Sequence, residues 1–414
     1  DRKQQDLHSR YLLYCCLRIV IKKMHLKKIF STILLAFLAA LLGGLAALFL
    51  AGFLRFIEWG QHLVWDVNAS SFFLKALAIC TIGGLLVGLC QRYLGDHPKS
   101  MMEAVAEVQK TGRLDYTHLP HGLVSVSCSL IFGASLGPEA AIVNIFCGLY
   151  TWINDFLTRL RSRLHLDSPT LSTSRLKRWL QHWPNTLTLI VITVVSILFL
   201  SKIYSGGLLR PHEPFQWVDL LWSIPLGILG TFEGVLFLAL QKWMRRWFKL
   251  IQHRHLLRGT LGGLTLGVMA LLLPAMLFSG QHQIQEIYEQ AAQLGFWVLF
   301  LISIARIFLV NLLLVCGWKG GPFLPIMLSS AALGLSVTVL FPVVPATPAV
   351  LATMAALVTI VLPKPTIVLI LMAVLFPIQY IGISAVGVGA AMLGRWAWKA
   401  LAAKNVPGTI LSDD

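Results

Sequence analysis

The chain has 414 residues, of which 57% are hydrophobic and 13% charged, with a mean hydropathy of +0.74. A soluble domain is about half apolar and a quarter charged, so this composition excludes a soluble globular protein and indicates a polytopic membrane protein. The formal net charge of +16 is read as basic cytoplasmic loops and not as a nucleic-acid footprint.

Residues 1–29 form a basic N-terminal extension, with Arg2, Lys3, Arg10, Arg18, Lys22 and Lys23. The first methionine is Met24, so residues 1–23 read as an upstream stretch ahead of a candidate natural start. Arg18 interrupts the apolar part, which makes the stretch a poor signal peptide. An interfacial helix and disorder both stay open there. Apolar runs long enough to cross a bilayer, about 20 residues each, fall near 30–54, 71–94, 187–204, 217–241, 257–279 and 294–317. Two further regions, 119–153 and 322–398, are apolar but broken by Gly and Pro. Residues 399–414 form a tail with Lys399 and Lys404.

The loops can be assigned to sides by charge. Lys27-Lys28 and the extension are basic, hence inside. Loop 55–70 carries Glu58 and Asp66 against Arg55, hence outside. Loops 95–118, 154–180 and 242–256 return inside, the last two rich in Arg and Lys. Loop 280–292, with Glu286 and Glu289, fits outside, and the tail fits inside. Loops 95–118 and 154–180 therefore share a side, and the 35 residues between them must cross twice or not at all. As helix they would span about 52 Å, whereas two crossings of a roughly 30 Å core need about 60 Å. The expected form is two short helices meeting inside the membrane, with GASLGPEA (133–140) at the junction.

That junction holds one acid, Glu139, after Gly133-Ala134-Ser135 and Gly137-Pro138. Irregular backbone at membrane depth persists only when buried in protein or lining a wet cavity. Interrupted helices are a pointer to a transport site, and their N-termini favour an anion. CGWKGGPFLPIML (316–328) repeats the pattern of glycines, a proline and an apolar helix. Gly320 and Gly321 permit close approach of an ion to the backbone, and Pro325 suits a first helical turn. Two such breaks suggest two helix N-termini aimed at one site. A carboxylate there can occupy the anion's own place and vacate it on protonation or by swinging aside.

These stretches resemble the signature motifs of the CLC family of chloride channels and proton-coupled chloride transporters, in particular a divergent bacterial branch. The family's Gly-Ser-Ala-Gly-Arg-Glu-Gly-Pro is matched by Ser135-Leu136-Gly137-Pro138-Glu139-Ala140-Ala141, and its Gly-Gly-Ile-Phe-Ala-Pro by Gly320-Gly321-Pro322-Phe323-Leu324-Pro325. The resemblance covers about residues 30–153 and 217–398. It implies that Glu139 is the gating glutamate, that Ser135, Gly137, Ala140, Gly320, Gly321, Phe323 and Leu324 surround the anion, and that Arg306 is the basic residue of the helix before the second motif.

The departures are specific. Pro138 stands in place of the family's Arg, and Pro322 has no N–H to offer an anion, which leaves Phe323 and Leu324 as donors. The family's Gly-Ser-Gly-Ile-Pro loop is represented by Gly95-Asp96-His97-Pro98-Lys99, where Asp96 would repel an anion and Lys99 would offset it. The segment that precedes the exchangers' internal proton-relay glutamate is not recognisable. Tyr380 is the nearest counterpart of the family's anion-contacting Tyr.

Other residues compete with structural roles. Glu233 is either a substitute proton relay or a helix-packing acid facing polar partners. Arg306 either raises the local potential or snorkels to an interface. The runs 39–49 and 81–88 look like close helix packing. The seven cysteines show no metal spacing and read as small buried hydrophobes, and no metal site or cofactor is expected. No enzyme motif is present; Ser135 beside Glu139 is the nearest thing to a catalytic pair.

The expected fold is all-α and polytopic, with CLC-like broken and tilted helices over residues 30–398 and an inverted repeat of halves near 30–204 and 217–398. The resemblance implies a homodimer in the cell (inner) membrane with cytoplasmic termini. Its partners would be the lipid bilayer, chloride or another small anion, and protons, with no nucleic acid. Channel and exchanger both stay open. So do a fluoride-selective exporter of the same family, an inactive or structural paralogue, and an unrelated transporter of organic anions.

Overall fold

The structure is a computed structural model that describes residues 34–66 except Ala36, 72–163, 208–362 except His212, and 364–405. The expected extension 1–29, most of the basic loop 154–180, the expected span 187–204, the last part of the tail and hence part of the first expected repeat half lie outside the described residues.

Among the described residues there are 13 helices and no strand. They are α1 Phe37–Trp65, α2 Phe72–Leu94, α3 Met101–Thr111, α4 Leu119–Ile131, α5 Glu139–Arg163, α6 Val218–Phe248, α7 His255–Leu272, α8 Gln283–Glu289, α9 Ala291–Val315, α10 Phe323–Leu340, α11 Ala346–Val361, α12 Pro365–Leu375 and α13 Ile381–Asn405. Seven are long and apolar enough to cross a membrane: α1, α2, α5, α6, α7, α9 and α10. The chain is a multi-pass membrane protein.

Local chemistry sets the boundaries. At the start of α3, Ser100 and Glu103 form a reciprocal capping box, with Ser100 N–H donating to Glu103 Oε2 at 2.9 Å and Glu103 N–H to Ser100 Oγ at 3.3 Å. Helix α4 takes a proline in its first turn and stops at Phe132, where Gly133 turns to φ +83°. Helix α5 opens on Glu139, an acid in the first turn that suits the positive end of the helix dipole. Helices α10 and α11 are apolar on every side, and 14 of 18 and 14 of 16 of their residues are buried, which places them at the centre of the fold.

The residues fall into two compact units. Of the described residues, one comprises 34–53, 107–116 and 145–163, and the other 54–106, 117–144 and 208–405. In the first, Leu35, Ala39 and Ala46 pack with Ile153 and Leu157, and the Thr151 hydroxyl accepts from Leu114 N–H. In the second, α2 and α7 approach backbone to backbone through glycines. A Cβ on Gly84 would stand 2.4 Å from the Gly259 carbonyl oxygen, and one on Gly263 would stand 2.2 Å from that of Cys80. The reading of 81–88 as close packing is met here. Gly44 in the run 39–49 differs, with nothing within 4 Å of its Cβ position, because that face of α1 is open. Gly263→Ala must push the two helices apart, and an overpacking loss of about 1–3 kcal/mol is expected, seen as a lower melting temperature of the detergent-solubilised protein.

Some boundaries differ from expectation. Helix α1 continues to Trp65, so Arg55 and Glu58 sit one turn apart on it and pair at 3.0 Å. Charge ended the apolar run but does not end a helix. The second of the two expected short helices, α5, is 25 residues long. Its far end remains amphipathic, with Ile153 and Leu157 buried and Asp155 paired with Arg113. Helices α3 and α8 lie inside stretches expected to be loops.

Candidate functional site

The two broken segments meet. Gly137 N–H donates to the Gly321 carbonyl and Gly321 N–H to the Gly137 carbonyl, both at 2.7 Å. A Cβ on either glycine would lie 2.2 Å from Glu139 Oε2, so a side chain at either position would displace the carboxylate. Gly320 is packed as tightly, its Cβ position being 2.6 Å from Leu136 Cβ. The second segment is also tied to α4, because Lys319 N–H donates to Ser129 Oγ at 2.8 Å.

This zipper sets the first residue of α5 against the first turn of α10. The Glu139 Oε1 atom accepts from Leu324 N–H at 2.7 Å, while Oε2 is buried with no hydrogen-bond partner. A negative group therefore sits on the amide end of α10, where dipole and free N–H groups favour an anion. Ala140 and Phe323 are buried around it. Ser135, in the same turn, is fully buried with an unpartnered hydroxyl.

Two cavities approach this junction. One of about 870 Å³ is lined from the end of α1 and by residues 278–283, including Arg55, Glu58 and Gln281. A narrower cleft continues from Glu58, Gln61 and Gln281 to Leu136 and Pro138. The other cavity, about 710 Å³, reaches Ala140, Gly320, Pro322 and Phe323. It carries five basic side chains, Lys99, Arg245, Lys249, Arg258 and Lys319, against the acids Asp96 and Glu103. Its rim includes the 242–256 segment assigned inside by charge, so it is termed the inner cavity.

Of the predicted site residues, the structure brings together Ser135, Gly137, Glu139, Ala140, Gly320, Gly321, Phe323 and Leu324. Asp96 also lines the inner cavity, as does Lys99. The Asp96 Oδ1 atom accepts from Lys319 Nζ at 2.6 Å. Desolvation by the cavity wall pushes the Asp96 carboxyl up, but Lys319, with Arg258 and His97, outweighs it, and the net direction is down. His97 stacks on His118, ring centres 4.3 Å apart. Burial lowers its pKa, and His118, Lys319 and His121 add to this against the opposing Asp96.

The remaining candidates lie elsewhere. The Tyr380 hydroxyl donates to the Glu213 carbonyl at 2.7 Å, so it is engaged with the backbone. Arg306 does not snorkel. It is fully buried and donates to the carbonyls of Ala275 and Phe278, at 2.5 and 2.7 Å. Glu233, buried in α6, accepts from Ser303 of α9 at 3.0 Å and from Ser329 of α10 at 2.6 Å. Its Oε1 faces polar partners, while its Oε2 is buried with no hydrogen-bond partner. Lys319 was missed as a site residue, although it is the one charged side chain between Arg306 and Lys364.

An all-α membrane protein with two helix N-termini zipped around a carboxylate belongs to a restricted class. The family model for voltage gated chloride channel proteins matches residues 173–394, and the chain belongs to that family. The match includes the second broken segment and stops short of Glu139. Over 166 residues the chain is 27% identical to chloride channel protein CLC-f of Arabidopsis thaliana, covering 36% of this chain and about a fifth, 21%, of that protein. The fold is similar to a slow cyanobacterial Cl−/H+ antiporter, with TM-score 0.66, 16% identity and coverage of 89% and 98% of the two chains. It is similar also to a CLC-type fluoride/proton antiporter, with TM-score 0.62, 17% identity and coverage of 87% and 95%. A eukaryotic CLC transporter gives TM-score 0.60 at 16% identity, over 87% of this chain and 71% of that one. At these identities the likeness is one of fold.

Proposed function

We propose that this protein moves chloride or a similar small anion across a membrane along a path gated by Glu139. The observation that carries the reading is the Glu139 carboxylate held on Leu324 N–H at the amide end of α10, between the two cavities. In that position the side chain is a tethered surrogate for the transported ion. When it leaves, an anion arriving from the inner cavity can take over the same donor, and the excess of basic residues there raises its local concentration. A proton that neutralises the carboxylate weakens its hold on the amide, which links opening to pH. Names of the structural relatives include both chloride and fluoride exchange with protons, and the present reading takes chloride. The reading takes with it a homodimer with one path per subunit, cytoplasmic termini and an inverted repeat.

The test is anion flux into proteoliposomes with chloride or fluoride and an internal pH dye, for wild type and Glu139→Gln. The amide keeps the shape and loses the charge. Flux in the variant is expected to persist and to lose its dependence on pH. Absence of flux in the wild type, or a variant with the wild-type pH response, would overturn the reading.

A further inference from the structure

We propose that Lys319 and Asp96 form an exchangeable ion-pair latch at the inner mouth of the anion path: the Lys319 ammonium releases Asp96 and pairs with an incoming small anion. The inference rests on the reading above and adds a residue pair that decides how tightly the anion is held.

Lys319 is the fixed member of the pair. Its backbone N–H is anchored on Ser129 Oγ, and Gly321, two residues on, is zipped to Gly137. Its side chain is only 15% exposed, whereas that of Asp96 is 85% exposed. Both residues line the inner cavity, the carboxylate as the exposed partner and the ammonium as the shielded one. Lys319, Gly320, Pro322 and Phe323 line that cavity together, so the lysine and the start of α10 open onto the same space. An anion approaching from the cavity meets the exposed carboxylate first and can replace it on the ammonium without changing the charge balance of the lysine.

The chemistry suits an ion that must leave again. A lysine is a mobile point charge on a flexible stem. Left without a counter-ion in this shielded position it would hold an anion too firmly. Conduction needs a site favourable enough to enter and weak enough to leave. Asp96 supplies the competition and keeps the ammonium paired when no anion is present. Arg258 and His97 act on Asp96, and His97 in turn faces His118 and His121; Lys99, Glu103, Arg245 and Lys249 line the same cavity. The low pKa of Asp96 means that the latch stays charged above the ordinary carboxylate range, about pH 4, and it does not supply the pH response assigned to Glu139.

The test is the concentration dependence of chloride flux in proteoliposomes for wild type, Asp96→Asn, Lys319→Met and the double variant. Asp96→Asn should lower the half-saturating chloride by about fivefold, the size of an exposed ion pair, and slow maximal turnover. Lys319→Met should raise half-saturation by roughly tenfold, because an unpaired Asp96 then repels the anion. The double variant should fall between them. Shifts of both single variants in the same direction, as a purely structural salt bridge would give, or no shift in either, would overturn the latch and leave the Glu139 gate standing. Should Lys319→Met not fold, the sign of the Asp96→Asn shift decides alone: weaker or unchanged anion binding refutes the latch. A wild type without flux refutes both.

Discussion

Gly321→Ala is expected to abolish anion flux at every pH, at least tenfold below wild type, while the protein still folds. The added methyl carbon would lie 2.2 Å from Glu139 Oε2 and 3.0 Å from Glu139 Cβ. The carboxylate is the end of a flexible side chain, and turning it aside costs on the order of 1 kcal/mol, so the fold survives. The methyl group then fills the place proposed for the ion. This separates the substitution from Glu139→Gln, which keeps the place and removes the charge. Combining Gly321→Ala with Glu139→Ala removes the clash without emptying the site, and flux should stay low. The proteoliposome assay reads all three variants, with size-exclusion chromatography confirming the folded state. Wild-type flux through Gly321→Ala would show that the ion does not pass where the carboxylate sits.

Arg306→Leu should cost the most stability of any single change at the centre of the protein. The guanidinium donates to two carbonyls, of Ala275 and Phe278, in the turn after α7. A Cβ on Gly280 would stand 2.6 Å from Arg306 Nη2, so the turn is packed directly on this side chain. Leucine leaves both acceptors buried and unpaired, at about 1–3 kcal/mol each. Relief from burying a cation offsets part of that. A net loss of about 2–4 kcal/mol is expected, measured as a melting shift in detergent. Residues 278–283 line the 870 Å³ cavity, so the loss should be accompanied by faster proteolysis in that segment. Arg306→Lys can reach one carbonyl and should recover only part of the stability. A variant as stable as wild type would mean that the two hydrogen bonds contribute nothing.

Much of this site is legible in the sequence because its chemistry is conspicuous there. A lone acid beside Gly137-Pro138 and a second glycine pair before Pro322 interrupt long apolar runs, and few folds tolerate that in a membrane. Pro322 left two donors to consider, Phe323 and Leu324, and it is the Leu324 N–H that meets Glu139. What escaped notice depends on partners far apart in the chain. The sequence set Asp96 beside Lys99 as an offsetting charge, because proximity in sequence is all a sequence offers, and gave no sign of the ion pair with Lys319, more than 200 residues on. Arg306 gave no sign that its partners are backbone carbonyls, since carbonyls are everywhere and carry no residue code. The ends of α1 and α5 were misplaced because hydropathy records where lipid stops, while a helix continues as long as its hydrogen bonds and one buried face do.

The reciprocal amide bonds between Gly137 and Gly321 bear on speed. They fasten the two interrupted segments to each other, so opening of the proposed gate need not separate helices or reorder a domain. What must turn at the junction is the Glu139 side chain. Unlatching there is then expected to be a side-chain rotation and not a collective motion of helices on the microsecond scale. The slow step of a transport cycle would lie in the arrival of an ion or a proton.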